Sequence, residues 1–110
     1  MNVNELTEKL GLTPLSKFED RPINGVFVSD MVSDVMTGAK SGNLWLTIQT
    51  HKSIVSTANL ADVAAVVITS NKVVPQETID LASKYSIAIL SCKMPTYELA
   101  IKLFSLGLGQ

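Results

Sequence analysis

Four short polar clusters carry the residue types best suited to chemistry in this chain of 110 residues. They are Ser29-Asp30, Gln49-Thr50-His51, Thr69-Ser70-Asn71 and Ser91-Cys92-Lys93, and each follows an apolar segment. Together they supply hydroxyls, amides, a carboxylate, a histidine and a lysine, a set that suits a small phosphorylated or carboxylated ligand. Ser, Thr, Asn and Asp also belong at helix starts, where they cap backbone N–H groups with no ligand involved. His51 is the single histidine, the side-chain type best suited to proton exchange near neutral pH. Cys92 is the single cysteine, and a thiol becomes a nucleophile only when a base or cation activates it. A Cys92/His51 pair would meet that need, but no third partner is implied.

Other chemistries lack their residues. There is no G-x-x-x-x-G-K-[ST] and no G-x-G-x-x-G, so kinase or ATPase activity has no phosphate cradle. Lys40-Ser41-Gly42 ends a helical segment instead of opening one. One cysteine and one histidine at distant positions make no metal-ligand cluster. Nine basic residues balance ten acidic ones, and Arg21 is the only arginine. Phosphate neutralisation and base readout both draw on clustered Lys and Arg, so nucleic acid is not an expected partner. The most apolar run, Val63 to Ile68, is far short of the ~20 residues a membrane span requires. No signal peptide is visible at the start, and a lone cysteine fits a reducing compartment, so the expected location is the cytoplasm.

The elements that must position these clusters alternate. Val3, Leu6 and Leu10 mark a short helix capped by Gly11, and Thr13 to Pro22 reads as a connector with two prolines and no periodicity. Strands are predicted at Val26–Val28, Leu44–Ile48, Ala64–Ile68 and Ile87–Leu90. Helices follow them. The first carries Met31, Val32, Val35, Met36 and Ala39, with Ser29 or Asp30 as its cap. The second covers Ser53 to Leu60, the third opens at Pro75 with Ile79, Ala82 and Tyr85 inward, and the last opens at Pro95. In that last helix Tyr97, Ala100, Ile101 and Phe104 form one apolar stripe. Ala64 to Ile68 has no polar alternation, which suits a central parallel strand covered on both faces. The expectation is an α/β domain: a mainly parallel four-stranded sheet with flanking helices over residues 23–110, preceded by the helix and connector of residues 1–22. Parallel strands would bring all four polar clusters to one edge, where ligands gather in open α/β sheets.

Only 17% of residues are charged while 46% are hydrophobic, with a mean hydropathy of +0.29. An average domain is about 25% charged. A sheet buried on both faces absorbs part of that surplus, and an isologous dimer would absorb the rest. The expected dimer buries helix or strand surface around Val32, Met36, Trp45 or Ile54.

The ordered segments also resemble the DRTGG domain family. The resemblance rests on Gly25-Val26-Phe27-Val28-Ser29-Asp30-Met31-Val32-Ser33-Asp34-Val35-Met36, on Leu44 to His51, on Ala65 to Thr69, on Pro75 and on Thr96-Tyr97-Glu98-Leu99-Ala100. It covers about Gly25 to Leu106. Glu5 to Leu12 is similar to the start of a related domain, the N-terminal domain of the kinase acting on the histidine-containing phosphocarrier protein. The resemblance implies a regulatory module that contributes to dimer contacts and is found appended to phosphotransacetylases or between nucleotide-sensing CBS modules of pyrophosphatases. Two motif positions differ. Thr50-His51 stands where the family has Asp-Arg, and Thr69-Ser70-Asn71 stands where it has Thr-Gly-Gly. Loss of both glycines removes the freedom that lets backbone crowd a phosphate.

The functional expectation is a stand-alone, non-catalytic regulatory module, without cofactor or metal, that forms a homodimer. It would sense a small anionic or nucleotide-like ligand at the carboxyl edge of the sheet. The candidate contacts are Ser29, Asp30, Gln49, Thr50, His51, Thr69, Ser70, Asn71, Cys92 and Lys93. An alternative is an adaptor for a separate signalling or metabolic enzyme with no ligand of its own. A third is a small thiol-dependent enzyme using Cys92 and His51.

Overall fold

In a computed structural model, residues 1–108 are described. The elements run α1 (Val3–Leu10), β1 (Thr13–Pro14), β2 (Gly25–Val28), α2 (Val32–Gly38), β3 (Asn43–Thr47), α3 (Ser53–Ala61), β4 (Ala65–Ile68), α4 (Gln76–Lys84), β5 (Ile89–Ser91) and α5 (Thr96–Ser105). The strands form one sheet in the order β1-β5-β4-β3-β2. β2 through β5 are parallel neighbours, and β1 pairs antiparallel with β5. The α/β class and the parallel core are therefore as expected, but the sheet has five strands where four were predicted. The extra strand comes from the segment read as a connector. Pro14 cannot donate to a ladder, and it is accommodated because β1 lies at the sheet edge.

Register explains how the two faces fill. Phe27, Trp45, Val66 and Ile89 lie side by side across the sheet, and Leu46, Val67 and Leu90 make a second row. The first row packs with Val35, Ile54, Val55, Ala58 and Ala82 from α2, α3 and α4. The second packs with Val3 and Leu6 of α1 and Leu99 and Leu103 of α5. Every residue of β4 is buried because helices cover both sides, which is why its sequence shows no alternation. α1 is fixed by a capping box between Asn2 and Glu5 and ends at Gly11, whose φ of 63° suits a residue without Cβ.

Several side chains face otherwise than their spacing suggested. Trp45 and Ile54 are fully buried, so neither can contribute to a dimer surface. Tyr85 is 53% exposed, because α4 ends in a turn there and Ser86 adopts a positive φ before the chain enters β5. In α5 the inward residues are Leu99 and Leu103, while Tyr97, Ile101 and Phe104 face outward. That helix carries two apolar stripes, and the sheet takes the leucines.

Candidate functional site

Because β2 to β5 run parallel, the four polar clusters do lie along one edge of the sheet. Their local roles differ. Ser29 Oγ accepts from Met31 N at 3.1 Å, so it supports the start of α2 without being the cap residue itself. Asp30 does not cap α2. Its carboxylate accepts from Thr47 Oγ1 at 3.0 Å and Ile48 N at 2.9 Å, tying the end of β2 to the end of β3. Gln49 N donates to Thr47 Oγ1, and Thr50 O accepts from Thr78 Oγ1 of α4. His51 is exposed, and its Nδ1 accepts from Ser53 N at 3.1 Å, holding the first turn of α3. With Nδ1 so used in the neutral ring, Nε2 is the atom left to face solvent as a donor.

The ends of β4 and β5 are bound together. Thr69 is fully buried, and its Oγ1 lies 2.6 Å from Thr96 Oγ1 at the start of α5. Ser70 N donates to Met94 O at 2.8 Å and Asn71 N to Cys92 O at 2.9 Å. To make these bonds Ser70 and Asn71 adopt φ of 62° and 55°, a left-handed conformation that glycine enters freely and other residues rarely. The Ser-Asn pair thus occupies backbone geometry suited to the two glycines it replaces in the resembled motif.

The direction of the connections singles out this pair of strands. α2, α3 and α4 cover one face of the sheet, whereas α5 crosses to the other. The chain therefore leaves β4 toward one face and β5 toward the opposite face. The bonds of Ser70 N and Asn71 N close the gap between these two strand ends, so the open space lies on the other side of β5, toward α1 and β1. Asn71, Ser91, Cys92, Lys93 and Met94 line a cleft of about 370 Å³ there. Leu10 to Thr13, from the end of α1 and β1, form its other wall. Lys93 and Asn71 are exposed at this cleft, so a cationic ammonium and an amide are available to an anion.

Sequence reasoning missed both Thr96 and the Leu10–Thr13 wall. Thr96 looked like an ordinary first-turn residue after Pro95, and nothing local marks its partner 27 positions away. Arg21, the one arginine, is not at this edge at all. Its guanidinium donates to Asp62 Oδ1 and Val63 O, both at 3.0 Å, and pins residues 1–22 to the α3–β4 turn.

Cys92 and His51 are not brought together. They follow β5 and β3, with β4 between, and Cys92 packs into the α1/α5 layer. Cys92 Sγ is directed to Met94 O, and burial pushes the thiol pKa up, away from the reactive thiolate. Among the described residues no group of three or more His, Cys, Asp or Glu is placed to hold a metal ion. No helix is long and apolar enough to cross a membrane among them.

No protein-family model matches the chain, and no curated protein matches it in sequence. Its fold is similar to a crystal structure of the CBS and DRTGG domains of the regulatory region of Clostridium perfringens pyrophosphatase, complexed with the activator diadenosine tetraphosphate. The TM-score is 0.69 at 14% identity over 90% of this chain. The match spans 44% of that chain, less than half of its length. The architecture expected from the sequence resemblance is thus present, and this chain has a DRTGG-like fold.

Proposed function

We propose that this chain is a non-catalytic regulatory module that forms a homodimer and binds a small anionic, nucleotide-like ligand at the carboxyl edge of its sheet. One observation carries the reading: at the carboxyl end of β5 a cleft sets Asn71, Cys92 and Lys93 against the Leu10 to Thr13 segment. Thr69 and Ser70 hold the cleft's shape through Thr96 and Met94, while Ser29, Asp30, Gln49, Thr50 and His51 lie outside the cleft, farther along the same edge at the ends of β2 and β3. A ligand here would touch both loops and α1, so it could bias the arrangement of three elements at once. It regulates only if it prefers one of two states. That the similar solved structure holds a nucleotide activator supports the ligand class.

The test is calorimetric titration and thermal shift with diadenosine tetraphosphate, mononucleotides, acyl phosphates and sugar phosphates. At least one is expected to bind and to raise the melting temperature. Lys93→Ala is expected to weaken that binding about tenfold, the loss of roughly 1.4 kcal/mol from one charge-assisted contact. A folded protein that responds to none of them overturns the ligand reading and leaves the adaptor in its place.

A further inference from the structure

Ten large apolar side chains stand exposed among the described residues, and three of them share one face of α5. Tyr97 is 77%, Ile101 52% and Phe104 66% exposed. They sit at i, i+4 and i+7, the spacing of a helix stripe, on the side away from buried Leu99 and Leu103. We infer that this stripe is a self-association surface, occupied by α5 of a second copy running antiparallel. The inference rests on the homodimer reading above and names its surface.

The pattern along α5 is self-complementary about Ala100. Tyr97 and Phe104 stand three and four residues to either side, so an antiparallel partner sets each tyrosine against the other copy's phenylalanine. Ile101 stands at that centre on the exposed face, while Ala100 packs against the inner layer. Glu98 and Lys102 stand two residues to either side of the same centre and lie on one shoulder of the stripe. A two-fold axis reverses the helix direction but keeps that shoulder on its own side. Glu98 of each copy therefore meets Lys102 of the other. Among the described residues the ion pairs are Arg21–Asp62 and Lys52–Glu77, so both groups are free to pair across such a contact.

Two aromatics and an isoleucine at these exposures offer about 400 Å² of apolar side chain per copy. A standard interface buries roughly 800 Å² per partner. The exposed Glu98, Lys102 and Ser105 add a polar rim, which puts the contact at the small end of specific interfaces and makes the dimer a concentration-dependent one.

Sedimentation of the full chain across the micromolar range tests this. The wild type is expected to be a concentration-dependent dimer. Ile101→Lys places two lysines near the axis and is expected to raise the dissociation constant more than tenfold, while Met36→Lys on α2 leaves it unchanged. Glu98→Lys is expected to weaken the dimer and Glu98→Lys with Lys102→Glu to restore it. That rescue decides the matter even if Ile101→Lys unfolds. A wild type that stays monomeric overturns the homodimer reading and this surface with it. A dimer indifferent to both α5 changes overturns the surface alone, and a dimer broken by Met36→Lys moves the contact to α2.

Discussion

At the scale of single residues, the most informative position is Ser70. Two consecutive left-handed residues after β4 are what let Ser70 N and Asn71 N reach Met94 O and Cys92 O. A non-glycine residue in that region gives up about 1–2 kcal/mol, whereas glycine's extra unfolded-state entropy takes back about 0.5–1 kcal/mol. Ser70→Gly is therefore expected to stabilise the fold by about 0.5 kcal/mol, and Ser70→Val to destabilise it by more than 1 kcal/mol. Urea unfolding of the two variants checks the sign, and a destabilised Ser70→Gly would mean that the serine side chain contributes something beyond the turn. Asn71 tolerates this conformation better than serine, because its short amide can bond locally. Sequence alone did not show the turn's geometry, since Ser-Asn reads as a generic loop or cap pair. The structure reveals a conformation where glycine would be expected.

At the scale of elements, the parallel strands and their helices were legible because each carries a periodicity that only one environment satisfies. β4 could be read as central from its unbroken apolar run, and convergence of the polar clusters follows once the strands are parallel. β1 was not legible, because two residues with a proline have no period to detect. α5 was misread for a different reason: Leu99/Leu103 and Tyr97/Ile101/Phe104 have equally good helical spacing, and only the packed sheet decides between them. The junction of residues 1–22 with the α3–β4 turn was also invisible, since Arg21 and Asp62 are 41 positions apart. That junction makes an acid-sensitive joint. The Ser41 hydroxyl and then the Arg21 guanidinium hold the Asp62 carboxyl below its ordinary value of 3.8. A carboxyl depressed in the folded state stabilises the fold above its unfolded pKa and loses that contribution as pH falls through the folded value. Stability curves of wild type and Asp62→Asn are expected to stand apart above about pH 4 and to converge in stronger acid. Curves that stay parallel through that range would remove Asp62 from the joint.

At the scale of the whole molecule, one sheet separates two apolar layers, and α1 belongs to the core of the first. Val3 and Leu6 are fully buried beside Leu44, Leu46, Leu99 and Leu103, while the single tryptophan, Trp45, lies fully buried in the opposite layer with Nε1 bonded to Ser29 O at 2.8 Å. This arrangement lets one measurement ask whether residues 1–22 are an appendage or part of the fold. Leu6→Ala deletes a buried side chain from the first layer and is expected to destabilise the protein by about 2–5 kcal/mol. If the layers unfold together, Trp45 fluorescence and far-ultraviolet circular dichroism will shift to the same lower denaturant midpoint. If α1 only leans on a self-sufficient sheet, the dichroism will lose a helix's worth of signal early and the Trp45 transition will stay where it was. Coincidence is the expected result, because every strand of β3 to β5 contributes side chains to both layers, so loosening one face releases the row on the other. A ligand in the cleft at the end of β5, whose far wall is Leu10 to Thr13, would then be read by the entire domain, and its stabilisation would appear equally in both signals.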